Sequence, residues 1–266
     1  MDPDIPRYVA VVGCGPSGCM VVRLLQQSRS LTQLPAKVQL VAIDTDPRAL
    51  EESGADVKVR AQPGGALQAD LGAFEVVFPV FDPSEPGPVG WAGEVASRSA
   101  ADGAYTFGVA VSPPGERRQG AEDMRSRFGG VAVVDAGWVL EKRGGEDPVM
   151  ALQIAFNFTA HTLTFLAGAI AAGDLGAAAL RSATGGRTTA FAASHISDPI
   201  SIYSLTMSRI DRAAIKSGIV FLDEAIEDVP ARRIFYAIGR SLPKAELVMI
   251  RTKGLEPFKI LAMLAS

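Results

Sequence analysis

The chain has little of the material from which metal centres and disulfide scaffolds are made. Its 266 residues include two cysteines, Cys14 and Cys19, and two histidines, His161 and His195. Neither pair has metal-ligand spacing, so no metal site is expected, and spacing alone reveals no nucleophile–base pair. Bonding Cys14 to Cys19 would strain the tight turn that holds both, which points to a reducing compartment and a cytoplasmic location. Positive charge is not in excess either, with 26 Lys and Arg against 29 Asp and Glu. A net charge of −3 gives no pull toward nucleic acid or anionic lipid. The opening Met1-Asp2-Pro3-Asp4 is acidic and has no apolar core, unlike a secretory signal. No internal repeat is present.

What is there is ordinary in bulk and specific in places. Hydrophobic residues make up 48% and charged residues 21%, as in soluble globular proteins, and the length suits one large or two small domains. One stretch, Val149 to Ala172, is apolar and long enough to span a bilayer. Gln153, Asn157, His161 and Thr164 interrupt it, and Asp147 and Asp174 flank it. It reads as a buried central helix, without membrane insertion.

The first fifty residues carry the main signal. An apolar run, Tyr8 to Val12, leads into Gly13-Cys14-Gly15-Pro16-Ser17-Gly18 and then a helical pattern from Cys19. A second apolar run, Val38 to Ile43, ends in Asp44-Thr45-Asp46. Strand, glycine turn, helix, strand and acid form a nucleotide-binding β-α-β unit. Gly13 and Gly15 allow close phosphate approach, Gly18 lets the helix pack on the strands, and the helix N-terminus offers unpaired N–H groups to an anion. The alternative is a glycine-rich turn that binds nothing.

Further strands are expected at Val57–Arg60, Phe74–Phe81, Tyr105–Val111 and Val131–Asp135, with helices at Val89–Ala101 and from Glu116 to Phe128. Strands alternating with helical patterns imply an α/β fold with a parallel sheet covered on both faces. The loop Asp82 to Gly90 holds three prolines, which remove amide donors, so it suits a rigid acidic surface turn better than a phosphate cradle. On the central helix, Gln153, Asn157, His161 and Thr164 form one polar stripe. Its partners are backbone carbonyls, water or solvent in one reading, and a nucleotide base in the other. Beyond it, a helix is expected over Leu175–Ser182, a flexible connection over Ser182–Thr189 and a helix over Ile200–Ile215. A small α+β unit follows, with strands at Ile219–Leu222, Glu246–Thr252 and Phe258–Leu264 and a helix near Pro230–Ser241.

The opening motif, together with Ile43-Asp44-Thr45-Asp46-Pro47-Arg48-Ala49-Leu50, resembles Rossmann flavin and NAD domains, including potassium-uptake regulatory domains. It also resembles the FtsZ/tubulin superfamily, where a glycine turn of the same length is followed by an Asn-Thr-Asp-x-x-Ala-Leu segment. Later segments favour the second resemblance. Phe107-Gly108-Val109-Ala110-Val111-Ser112-Pro113-Pro114 is similar to the FtsZ strand that ends in Lys-Pro-Phe. Glu116 and Arg117 match the ribose clasp, Phe128 to Leu140 the next strand and its ribose loop, and Ala155 to Leu163 the helix that touches guanine. Gly173-Asp174-Leu175-Gly176-Ala177 matches the catalytic loop.

The resemblance runs from about residue 8 to 176. It implies an FtsZ/tubulin-type nucleotide-binding domain over residues 1–172, including the long central helix, and a small C-terminal α+β domain over 173–266. It also implies GTP or GDP on Gly13, Cys14, Gly15, Pro16, Ser17, Gly18, Asp44, Thr45, Glu116, Arg117, Asn157 and His161. A cytoskeletal, cell-division type of protein is expected, whose partner is itself or a related FtsZ-like chain. Asp174 would act in trans on the γ-phosphate. Three departures count against hydrolysis: the Gly-Gly-Gly-Thr-Gly-Thr-Gly loop is replaced by Pro83–Gly90, the second catalytic carboxylate falls on Ala177, and His161 stands where an acid usually contacts the base. Two alternatives remain: a Rossmann-type NAD(P)- or FAD-binding oxidoreductase or regulatory domain with Asp44 on the ribose, and a nucleotide-free assembly scaffold.

Overall fold

The computed structural model describes residues 8–32, 37–62, 67, 74–114, 126–142, 145–194, 216–242 and 244–252. Glu116 and Arg117, residues 116–125 of the helix expected to reach Phe128, the helix expected over 200–215, His195 and the strand near 258–264 lie outside them; residues 126–128 are described and are turn rather than helix.

Among the described residues, nine parallel strands form one sheet. They are β1 (Val9–Cys14), β2 (Val38–Asp44), β3 (Val57–Arg60), β4 (Val76–Phe81), β5 (Tyr105–Ser112), β6 (Gly130–Asp135), β7 (Thr188–Ser194), β8 (Ser217–Asp223) and β9 (Glu246–Thr252), in the order β3-β2-β1-β4-β5-β6-β7-β8-β9. The helices are α1 (Gly15–Thr32), α2 (Pro47–Ser53), α3 (Pro86–Ala101), α4 (Ala136–Lys142), α5 (Pro148–Ala172), α6 (Ala177–Thr184) and α7 (Asp228–Ser241).

Parallel strands covered on both faces need apolar side chains at every position. β1, β4, β5 and β6 are buried along their whole length. Alternate residues feed two cores: Val9 and Val11 pack with Phe78, Phe107 and Leu163 on the α5 side, while Ala10 and Val12 pack with Phe81, Trp91 and Val95 on the α3 side.

α5 is the axis of the larger core. Asp147 caps its start by accepting the Met150 N–H at 2.8 Å, and Gly173 ends it in a left-handed conformation, φ 89°. At 1.5 Å per residue its 25 residues run about 37 Å, enough to cross a bilayer's hydrocarbon core of about 30 Å. Yet 72% of its apolar window is buried inside the protein, as a core helix requires.

α5 also reaches the C-terminal strands. Ile219 and Phe221 of β8 join its core, with Phe165 and Phe221 ring centroids 6.1 Å apart. Val220 and Leu222, on the opposite face of β8, build a separate core with Ile234 and Ile238 of α7. β7 meets β6 through only two register pairs, Val131↔Thr188 and Ala132↔Thr189.

Three expectations are corrected. Ser182–Thr189 is not a flexible connection: α6 runs to Thr184 and β7 starts at Thr188. The two glycines make only the turn between them, Gly185 donating to Arg181 O at 2.8 Å and Gly186, φ 64°, to Gly129 O at 2.6 Å. Ala136 to Leu140 is helix rather than loop, because Asp135 accepts the Gly137 N–H at 2.9 Å and turns the chain out of β6. Finally, α3 begins at Pro86 rather than Val89, so the proline segment is half loop and half first turn, which is where proline is tolerated.

Candidate nucleotide site at the carboxyl edge of the sheet

β1 hands over to α1 without an intervening loop, at Cys14–Gly15. A Cβ on Gly13 would lie 2.5 Å from the Gly18 carbonyl carbon and 2.8 Å from Val22 Cγ2. A Cβ on Gly18 would lie 2.7 Å from the Gly13 carbonyl carbon and still nearer the Val80 carbonyl oxygen. Gly18 thus packs α1 onto the strands, as expected. Gly13 shares that task, so its bare Cα serves the helix rather than a phosphate.

Gly15 is different. Its φ of 74° is left-handed, and the open side of its Cα faces α3. The Pro88 ring fills that side, with Cβ 3.0 Å from the point a Gly15 side chain would take and Cγ nearer. Glu85 Oε2 lies 3.5 Å from the same point. Ser84, Pro86, Gly87 and Gly90 are exposed, so the segment is a surface turn that directs one buried ring, Pro88, inward. It is anchored by Asp82, whose Oδ1 accepts the Ser84 N–H at 2.8 Å and hydroxyl at 2.5 Å. Two of α3's first three residues, Pro86 and Pro88, have no N–H to offer an anion.

The surrounding edge is acidic. Asp44, Asp82, Asp135 and Asp223 end or directly follow β2, β4, β6 and β8, and all four are buried. Each accepts the N–H two residues onward at 2.8–2.9 Å, which stops the strand and turns the chain. Asp44 is 3% exposed. Its Oδ1 takes the Asp46 N–H at 2.9 Å and its Oδ2 the Cys19 thiol at 3.9 Å. Thr45 beside it is exposed.

Cys14 and Cys19 are both free and buried. Burial, with Asp44 as the second cause, pushes the Cys19 thiol up to about 12, and burial raises Cys14 further. Neither is a nucleophile at neutral pH. No metal-binding cluster of His, Cys, Asp and Glu occurs among the described residues.

Two of the four residues of the polar stripe of α5 turn back on their own helix. Asn157 Nδ2 donates to the Gln153 carbonyl at 2.8 Å, and the Thr164 hydroxyl to Ala160 O at 2.9 Å. Half-buried His161 has its pKa lowered by burial and is neutral at pH 7. Asp174 is exposed and follows the far end of α5. Its loop is tied to the amino edge of the sheet, where the Ala177 N–H donates to Glu75 Oε1 at 3.2 Å, just before β4. Asp174 and Gly15 therefore sit at opposite ends of the strands, some 20 Å apart for six residues of β4.

A cleft of about 610 Å³ also opens at the amino edge, between α3 and α6. There Arg181 lies over the Tyr105 ring, 5.4 Å from its centroid, and the Tyr105 hydroxyl meets Thr184 Oγ1 at 2.7 Å. Sequence reasoning missed Pro88, Glu75 and the repeated aspartates. An Asp at the end of four of the apolar runs was the available signal for the last.

The order of the first six strands, β3-β2-β1-β4-β5-β6, is shared with dinucleotide-binding folds and does not separate the two resemblances. No protein-family model and no curated protein matches the chain. Solved structures do. CetZ from Methanosaeta thermophila strain DSM 6194 aligns with 15% identity over 97% of this chain and 91% of its own, TM-score 0.65. The W319Y mutant of M. jannaschii FtsZ aligns with 19% identity over 93% and 86%, TM-score 0.69. The chain has an FtsZ/tubulin-type fold. A third match is CetZ2 from Haloferax volcanii as a GTPγS-bound protofilament, with 11% identity over 97% of both chains and a TM-score of 0.59. These alignments include the C-terminal strands, so the FtsZ/tubulin likeness continues past residue 176, where the sequence resemblance stopped.

Proposed function

We propose that this protein is an FtsZ/tubulin-type assembly subunit, associating with copies of itself or with a related polymer in the cytoplasm, and that it does not hydrolyse GTP. The observation that carries this reading is the Pro88 ring and Glu85 carboxylate packed against Gly15, where a phosphate would have to approach. Backbone amides and a helix N-terminus attract anions, whereas prolines and carboxylates supply neither donors nor positive charge. The buried aspartates on the same edge add repulsion toward a polyanion.

The fold supports the assembly half of the reading, since CetZ2 of the same fold forms a protofilament. We place the boundary between a larger domain, residues 1–172, and a smaller one, 173–266, at the end of α5. The thin β6–β7 seam and the separate β8–α7 core support it. The NAD or FAD alternative is disfavoured by Asp44, which is 3% exposed and turns its carboxylate inward to the Asp46 N–H and the Cys19 thiol rather than outward to a ribose.

The test is sedimentation and electron microscopy of nucleotide-stripped protein in EDTA, compared with the same protein in GTP and Mg²⁺, with phosphate release followed in parallel. Equal assembly and background phosphate release are expected. Assembly that requires GTP, or phosphate release above background, overturns the reading.

A further inference from the structure

We propose that the cleft between α3 and α6 is a binding site for a small phosphate-bearing anion, held between Arg127 on one wall and Arg181 on the other. The site lies at the amino edge of the sheet, away from the glycine turn, and the inference is independent of the reading above.

Arg127 stands in the turn that leads into β6. Its Cδ lies 3.7 Å, and a guanidinium nitrogen 3.8 Å, from the point a Gly93 side chain would take, so the absent side chain lets it rest along α3. Arg181 belongs to the last turn of α6 and covers the Tyr105 ring, which the Thr184 hydroxyl holds in place. Both arginines line one cleft of about 610 Å³, a volume that suits a small molecule. None of the described residues lining it is acidic, and its other polar side chains are the hydroxyls of Ser97, Tyr105, Thr106 and Ser126.

Neither an ion pair nor a helix cap accounts for these two charges. Their neighbours Arg98 and Arg187 each hold a carboxylate, Glu94 and Glu246, whereas Arg127 and Arg181 meet none among the described residues. The end of α6 is satisfied without the Arg181 side chain. Leu180 O accepts the Thr184 hydroxyl, Arg181 O the Gly185 N–H and Ala183 O the Arg187 guanidinium. At the end of α3, the N–H groups of Asp102, Gly103 and Ala104 take the carbonyls of Arg98, Ala100 and Ser99. The ring contact with Tyr105 explains where Arg181 lies, but not a second unpaired arginine on the opposite wall. Two guanidiniums with no lining acid call for more than one negative charge. A phosphoryl group carries about −1.5 to −2 at pH 7, and its oxygens fit the guanidinium fork.

The experiment is calorimetric titration of pyrophosphate and of succinate into the full chain and into R127Q, R181Q and R127Q/R181Q, with thermal melts to establish folding. The wild type is expected to bind pyrophosphate saturably, and succinate on the order of tenfold or more weakly. Each single variant should lose on the order of tenfold in pyrophosphate affinity, and the double variant all detectable binding. Should the variants not fold, the wild type alone decides: pyrophosphate should slow phenylglyoxal modification of Arg127 and Arg181, read by mass spectrometry, and leave that of exposed Arg232 unchanged. Absence of wild-type binding, or succinate binding as tight as pyrophosphate, overturns the inference. So does binding that survives in folded R127Q/R181Q, as a phosphate at the glycine turn would. Loss of assembly in the double variant without any wild-type anion binding also overturns it, and makes the cleft a socket for acidic side chains of a second copy. GTP-dependent wild-type assembly sinks the functional reading and leaves this inference standing.

Discussion

Gly13 and Gly18 face each other across the β1–α1 turn with no room for a side chain on either, a Cβ at Gly13 falling 2.5 Å from the Gly18 carbonyl carbon. Both obstacles are backbone, held by a fully buried strand on one side and its helix on the other. The contact makes the glycine fingerprint a structural requirement of the fold, whether or not a nucleotide is present.

Gly13→Ala and Gly18→Ala should each therefore cost about 3 kcal/mol or more, at or beyond the upper end of ordinary overpacking, because backbone cannot yield as a flexible side chain would. Urea denaturation without added nucleotide should show the full loss. If either variant is as stable as wild type, the close packing of α1 on β1 is wrong.

Gly15 should behave otherwise, because its obstacle is a side chain. Gly15→Ala forces a left-handed residue, costing about 1–2 kcal/mol, and also meets the Pro88 ring. P88A removes the second cost and leaves the first. A double-mutant cycle should give a coupling of about 1 kcal/mol, with P88A/G15A less destabilised than the sum of the single changes. Additive effects would mean that Pro88 does not rest on Gly15.

The contrast between these glycines marks what could be read from the residues alone. The apolar runs located β1, β2, β4, β5 and β6 nearly to the residue, since strands buried on both faces carry few polar positions to blur them. An Asp-Pro pair stands at the start of both α2 and α5, where the Asp46 and Asp147 side chains cap the helices. β7 was lost because Gly185 and Gly186 made its neighbourhood look like a linker, although they serve one turn. The glycine turn itself was legible. Its closure was not, because Pro88 reaches Gly15 only when β4 lies beside β1, a pairing that aligns Gly13 with Val80. The segment's lack of donors was visible locally, but the burial of Pro88 against Gly15 was not.

The two thiols supply a pH signature of the same region. Burial raises Cys19 from 9.0 to about 12 and Cys14 further, so the folded state keeps protons that the unfolded chain releases. Stability is then unaffected by these groups below about pH 9 and falls as pH rises above it, continuing to about pH 12. Each thiol contributes a slope of about 1.4 kcal/mol per pH unit across that window. Other groups ionise there too, so the measurement is a difference: urea unfolding at pH 8, 9, 10 and 11 for wild type and for C14A/C19A. The double variant should lose stability more gently as pH rises, its deficit against wild type shrinking at each step above pH 9. Parallel curves would mean that the thiols are accessible and ionise alike in both states. In that case a thiol reagent at pH 8 should also label the folded protein, which the buried arrangement beside Asp44 forbids.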